Sequence, residues 1–266
     1  MATASASSNK AKIARRVVEV LDYFDDGHRE ATVMDIVRRY DRPQSSTSEL
    51  LSSLVELGLL YKDPLSRSYT LAPRAALIGA SGQSDIVRDG RLVRLIDRLA
   101  AQTGLSVALF GRVCLNAQIV SWRPGARTAP RDLHGGLQAP LSETAAGWLL
   151  LSTVAQPRRD GIIRRLNAEA SDERKFAPAD MASRLQACRD QGYAQGAMGF
   201  GTKAEALAVL LPGQPDDHPL AVGFVYGAED KVNHCSLLQC LDEAAGQLLS
   251  ELTAAPARIE RLPTAA

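Results

Sequence analysis

Residues 43–54 read PQSSTSELLSSL. Five of the twelve are serine, led in by a proline and a glutamine. Such a stretch is either a flexible linker or a helix with a small polar face. The leucines at 50, 51, 54 and 57, with Val55 among them, decide between the two. They mark one apolar stripe at helical spacing, which a linker has no reason to carry. The spacing predicts a helix from Ser45 to a stop near Gly58. Its serines at 45, 46, 48, 52 and 53 lie mainly on the side away from the stripe. Pro43 suits the first turn, where its missing N–H is no loss.

On the N-terminal side, IARRVVEVLDYF (13–24) places apolar residues at 13, 17, 20, 21 and 24, again at helical spacing. DDGHRE breaks the pattern. ATVMDIVRRY (31–40) predicts a second, short helix with Val33, Ile36 and Val37 inward and Thr32 as its cap. On the C-terminal side, LLYKDPLSRSYTL (59–71) reads as two short strands carrying Tyr61 and Tyr69, joined by the turn DPLSR.

Three short helices followed by a β-hairpin make a winged helix-turn-helix. The third helix of that motif enters the DNA major groove with its first turns against the bases. Serine permits close approach and bonds phosphates or bases with little discrimination. A purely structural helix surface would favour Glu, Lys and Ala, because each serine weakens a helix by a few tenths of a kcal/mol relative to alanine, roughly. The expected DNA contacts are therefore Arg42, Gln44, Ser45, Ser46, Ser48 and Glu49 at the entry to the reading helix, with Lys62 and Arg67 on the hairpin. Residues 1–80 hold 11 Lys/Arg against 10 Asp/Glu, so the region is barely basic. Phosphate contact must rest on local clusters: Lys10, Lys12, Arg15 and Arg16 near the start, and Arg42, Lys62 and Arg67 around the helix and wing.

Composition limits the remaining possibilities. Apolar residues make up 45% of the 266-residue chain and charged residues 23%, the profile of a folded protein of one large or two ordinary domains. Apolar runs such as AAGWLLL (145–151) are far short of the ~20 residues a bilayer span requires. MATASASSNK lacks the hydrophobic core of a secretory signal, so residues 1–11 are expected to form a frayed tail and the protein to be cytoplasmic. Cys114, Cys188, Cys235 and Cys240 have neither disulfide-framework nor metal-site spacing and are read as free thiols. A net charge of +1 names no partner.

The character of the chain changes at residue 81. SGQSD is read as a loop with Asp85 as a possible cap. IVRDGRLVRLIDRLAAQTG (86–104) predicts a linker helix with Leu92, Leu95, Ile96 and Leu99 on one stripe and Gly104 as its stop. Strands are expected at 106–110 and 117–122, then a long loop RPGARTAPRDLHGG, then a helix over 142–152 with Ser142 as N-cap. Further helices are expected near 158–168, 178–190 and 233–252, with strands YAQGA, EALAVLL and LAVGFVY between the last two. This irregular alternation reads as a mixed domain with a largely antiparallel sheet.

Catalytic signals are weak. GAMGFGTK (196–203) imitates a phosphate-binding loop, but Thr202 and Lys203 reverse the order that loop requires, and a strand follows instead of a helix. It is read as a glycine-rich connection. His28, His134, His218 and His234 are scattered, with no triad or metal spacing. Asp172 and Glu173 beside Arg174 and Lys175 read as a solvated face. No enzyme activity, metal or cofactor is expected.

With these elements in order, the chain resembles the isocitrate lyase regulator (IclR) family of bacterial transcription factors over about residues 12–252. The resemblance rests on RPQSSTSELLSSLVELGLL and RSYTLAPRAALIGASG in the first half. In the second it rests on PLSETAAGWLLLS and on GYAQGAMGFGTKAEALAVLLP followed by LAVGFVYG. It implies an α+β fold: a winged helix-turn-helix over 12–80, a linker helix over 81–104, a GAF-like effector-binding domain over 105–252 and a tail over 253–266. It also implies homodimers or homotetramers, palindromic operators in double-stranded DNA and small-molecule effectors, organic acids or aromatic metabolites.

Two departures from the family pattern matter. Glu49 stands where the family commonly has arginine, so the family's base preference does not carry over. Ala206, Phe224 and Tyr226 stand where several members have small polar groups or cysteine. With Ala145, Ala146 and Met198 they would form an apolar, partly aromatic effector pocket, which favours a small aromatic or apolar organic acid. Phe224 and Tyr226 are alternatively sheet core, since alternate strand residues share a face. The resulting expectation is a ligand-responsive regulator of catabolic genes. The rival readings are a DNA-binding oligomer that has lost ligand sensing and an enzyme with a helix-turn-helix appendage.

Overall fold

The structure, a computed structural model, describes residues 3–25, 27–79, 85–126, 133–214 and 218–254. It divides the chain into two compact units, Met1–Gln83 and Ser84–Ala266.

The N-terminal unit begins with α1 (Thr3–Tyr23), so helical backbone reaches into the segment read as a tail. α2 (Val33–Tyr40) starts at Thr32 with a full capping box. The Asp35 N–H donates to the Thr32 hydroxyl, and the Thr32 N–H donates back to the Asp35 carboxylate at 2.8 Å. Those bonds hold the Asp35 carboxyl below its ordinary pKa, the Thr32 hydroxyl contributing most. α3 (Gln44–Glu56) follows, with Pro43 at the cap position and not inside the first turn. Gly58, at φ +70°, ends it by turning left-handed, a conformation that costs glycine little.

β1 (Leu60–Lys62) and β2 (Tyr69–Leu71) form the wing, in register Leu60↔Leu71 and Lys62↔Tyr69. Ala31 adds a third position through reciprocal backbone bonds with Tyr69. Val20, Ile36, Leu51, Leu54, Leu60 and Tyr69 close the core, one or more from each of the three helices and both strands. Each such side chain stabilises the unit by about 1.5–3 kcal/mol relative to exposure. α4 (Pro73–Leu77) closes the described part of this unit. The end of the RSYTLAPRAALIGASG motif and most of the SGQSD loop, residues 80–84, lie outside the described residues.

In the second unit the expected linker helix is in two pieces, α5 (Asp85–Arg88) and α6 (Arg91–Thr103). Gly90, at φ +74°, interrupts it. The stripe Leu92, Leu95, Ile96 and Leu99 is buried within this unit's own core. The sheet comprises β3 (Ser106–Val113), β4 (Asn116–Arg123), β5 (Gln138–Pro140), β6 (Tyr193–Ala197), β7 (Ala204–Leu210) and β8 (Leu220–Gly227). Its order is β5-β4-β3-β8-β7-β6 and every pairing is antiparallel. β5, three residues long, has no expectation from sequence. Part of the long loop after β4, residues 127–132, lies outside the described residues, as does the C-terminal stretch 255–266.

Helices cover both faces. α7 (Ala145–Ser152), α8 (Arg158–Glu169) and α9 (Pro178–Gln191) pack on one, against Ala108, Phe110, Ala206, Ala208 and Val225. α6 and α10 (His234–Ala254) pack on the other, against Val107, Leu109, Leu207, Val209, Val222, Phe224 and Tyr226. Both inner faces are apolar, as two covered faces require. The expected Ser142 cap is displaced. Residues Leu141–Glu143 make a single 3-10 turn, and Thr144 caps α7 by accepting from the Gly147 N–H at 2.8 Å. No described helix is long and apolar enough to cross a membrane.

Candidate nucleic-acid and effector sites

α3 sorts its residues by height around the helix. Thr47, Leu51 and Leu54 face the core. Gln44, Ser45, Glu49, Ser52 and Ser53 are exposed, and Ser48 is half-buried on the same side. The hydroxyls of Ser52 and Ser53 donate to carbonyls one turn back, those of Ser48 and Glu49. Gln44, Ser45, Ser48 and Glu49 thus form a continuous outward surface on the first two turns. Pro43 makes no side-chain cap bond, so the positive end of the helix dipole opens onto this surface.

Ser46 and Arg42 have partners within the unit itself. Ser46 accepts from the Arg16 guanidinium at 3.1 Å and donates to the Pro43 carbonyl, which ties α1 to the entry of α3. Arg42 directs its Nη2 to both oxygens of Glu19, each at 3.2 Å. The Tyr40 hydroxyl donates to the Glu19 carbonyl at 2.7 Å and fixes that turn. Sequence reading marked Arg16 only as one of a basic cluster and left Glu19 unremarked. Their partners lie 30 and 23 positions away, and nothing local signals them.

On the wing, Lys62 is exposed with its ammonium 5.4 Å from the Tyr69 ring centre. Arg67 is exposed at φ +57° in the connecting turn. The Asp63 carboxylate accepts the Leu65 and Ser66 N–H groups and organises that turn, which holds its carboxyl below the usual range. A second chain of bonds, from the Ser66 hydroxyl to Ser68 and from Ser68 to the Glu30 carboxylate, braces the hairpin from below.

The six expected effector residues do not converge. Ala145, Ala146, Met198 and Ala206 share the α7 face, all at most 1% exposed. Phe224 and Tyr226 are core on the opposite face, under α6 and α10. A pocket joining all six is therefore corrected by the sheet register: Ala206 pairs with Val225, so its face is that of 225 and not of 224 or 226. Burial, and secondarily the Glu205 carboxylate, pushes the Tyr226 phenol up to about 12. Its hydroxyl is buried without a hydrogen-bond partner.

The aromatic groups that do sit on the α7 side, Phe110, Trp148 and Phe200 among them, carry no local sequence signal of a site. Phe110 and Phe200 stack with ring centres 6.3 Å apart. Phe200 holds φ +52°, a strained conformation for a side chain of its size. It lies in the GAMGFGTK connection between β6 and β7, the bland reading of that motif. The connection presses on the start of α7: a Cβ at Gly199 would meet the Thr144 methyl at 2.5 Å. Trp148 donates from Nε1 to the Ser142 carbonyl at 2.8 Å, and the Arg184 guanidinium lies 4.1 Å from its ring centre. Beside them an open groove of about 420 Å³ runs along β6, lined by Gln195, Gly196 and Glu205 among others.

All four cysteines are free thiols. Among the described residues, no group of three or more His, Cys, Asp or Glu side chains is placed to hold a metal ion.

Comparison with known proteins follows this division of labour. Residues 14–64, from α1 through β1, match the IclR helix-turn-helix domain. A transcriptional regulator of Comamonas testosteroni, TsaQ1/TsaQ2, is 25% identical over 194 residues, 72% of this chain and 69% of that one. The structure of Thermotoga maritima IclR aligns with a TM-score of 0.59 at 16% identity, over 91% of this chain and 99% of that one. An IclR homologue from Microbacterium hydrocarbonoxydans, solved in complex with 4-hydroxybenzoate, also gives 0.59, at 18% identity over 91% of this chain and 100% of that one. Residues 14–64 thus carry an IclR helix-turn-helix domain, and the chain shares its fold with IclR-family regulators along most of its length.

Proposed function

We propose that the protein is a ligand-responsive regulator that reads a palindromic operator with the outward surface of α3 and responds to a small organic acid with an apolar or aromatic body. The observation that carries this reading is the separation on α3. Every residue that holds the fold points one way, and Gln44, Ser45, Ser48 and Glu49 point the other. Lys62 and Arg67 add phosphate contacts from the wing, while Arg42 and Ser46 act at the helix entry. A homodimer or homotetramer presents two such helices to two half-sites.

The second unit, GAF-like in this reading, holds the effector on its α7 side. Ala145, Ala146 and Ala206 keep that face shallow, and Met198, Phe110 and Phe200 give it an apolar, aromatic lining. The 4-hydroxybenzoate complex of the Microbacterium homologue supports the same ligand class. Effector binding shifts operator affinity through a coupling free energy between the two sites, and this cytoplasmic regulator controls catabolic genes. The tight burial of Ala145, Ala146, Met198 and Ala206 is the one observation favouring the rival, a second unit that only oligomerises.

The test is capture of sheared host genomic DNA by the purified protein at two salt concentrations. A few fragments surviving the higher salt and sharing a palindrome are expected. Capture that is wholly salt-sensitive and sequence-blind would overturn the operator reading. Those fragments then serve as the probe for benzoate and its hydroxy derivatives. A change in affinity with one of them is expected, and none with any would decide for the rival.

A further inference from the structure

Two guanidinium groups stand at the entry to α3, and they are held differently. Among the described residues, Arg16 is hydrogen-bonded to a neutral hydroxyl, that of Ser46. Arg42 meets a carboxylate, with Nη2 at 3.2 Å from each Glu19 oxygen, while its buried Nε has no hydrogen-bond partner among the described residues. The Glu19 turn is pinned by the Tyr40 hydroxyl, so the acid is presented to Arg42 in a fixed position. Yet the pair is not sealed: the side chains keep 39% and 24% of their exposure. Arg42 directly precedes the uncapped end of α3, the end of a helix to which a phosphate is drawn.

A carboxylate and a phosphate offer arginine the same kind of paired oxygen acceptors. We propose that Glu19 is a specificity-setting residue: its carboxylate occupies Arg42 in place of a DNA phosphate and thereby restrains binding to DNA of arbitrary sequence. This rests on the reading of α3 as the DNA-contacting helix. Binding to random sequence depends almost wholly on phosphate contacts, so withdrawing one cation weakens it directly. An operator that seats α3 in the groove brings a phosphate close enough to exchange for Glu19. The acid therefore widens the gap between operator and random DNA while making no contact with a base.

The experiment is an anisotropy titration of the full chain with a labelled random-sequence duplex, repeated from about 50 to about 200 mM salt. Glu19→Gln is expected to tighten binding on the order of tenfold at the low salt and to steepen the log–log salt slope by about one, the signature of one added phosphate contact. Glu19→Asp, which keeps the charge, is expected to retain the shallower slope. The gain must depend on Arg42, so Glu19→Gln/Arg42→Gln is expected to show none of it relative to Arg42→Gln alone. A Glu19→Gln protein with the unfolding temperature of the wild type but an unchanged slope would overturn the proposal. So would a gain that persists without Arg42, which would be a general charge effect. A wild-type protein that binds no duplex even at the low salt would instead remove the DNA-binding reading, and this inference with it.

Discussion

α3 and α7 are both built from small residues, and they use them in opposite ways. Five of the thirteen residues of α3 are serine, none of them in its buried core set, and the hydroxyls of Ser52 and Ser53 are satisfied by the helix's own carbonyls. α7 is alanine, glycine, leucine and serine around a single tryptophan, and every residue except Trp148 is buried. On α3, small means that a foreign surface can approach closely. On α7, small means that the helix lies close to its own sheet. The same side-chain volume therefore predicts tolerance at one helix and intolerance at the other.

The sharpest way to break this comparison is Gly147→Ala. A methyl there would collide with the Leu141 carbonyl and the Thr144 hydroxyl, both fixed by the turn that caps α7. The expected loss is about 3 kcal/mol, seen as an earlier transition of the C-terminal unit in urea, with the N-terminal transition unmoved. Next in size is the change on α3. Ser45→Glu with Ser48→Glu places two carboxylates on the outward surface, and duplex binding is expected to fall about 100-fold while stability stays within about 0.5 kcal/mol. Unchanged binding would remove α3 from the interface.

A finer contrast lies in the caps. Thr144 is fully buried, whereas Thr32 is exposed. Thr144→Ala strands a buried N–H and is expected to cost about 2 kcal/mol, against about 1 kcal/mol for Thr32→Ala. Equal costs would mean that burial adds nothing at the cap. The smallest effect is one of pH. Asp35 has a lowered pKa in the fold, so its contribution is present above the unfolded value, about 3.9, and is lost as pH falls through the folded one. Acid titration of the N-terminal unit is expected to lose this increment in Asp35→Asn and, because Thr32 is the main cause, to shrink it in Thr32→Ala.

The N-terminal fold is legible in the sequence because its signals are local. The leucine stripe, the Thr32 cap, the glycine stop and the DPLSR turn each lie within a few residues of the element they define. The proposed effector face is less legible for a definite reason. Strand alternation says that Phe224 and Tyr226 share a face, but only the pairing of Ala206 with Val225 says that it is not the face of Ala206. Register is a long-range fact, and so are the Arg16–Ser46 and Arg42–Glu19 contacts. The role of Phe200 is hidden similarly. Flanking glycines mark a sharp connection, but not that its aromatic ring folds onto Phe110.

The geometry of α3 also bears on how such a regulator changes over generations. The residues proposed to read the DNA sequence, Gln44, Ser45, Ser48 and Glu49, lie outside the buried set that holds the unit together, Thr47, Leu51 and Leu54. A duplicated copy can therefore drift at the first set and acquire a new operator while it still folds at every step. Redirecting this protein to another set of genes, in a lineage or at the bench, begins with four outward positions on two turns of one helix.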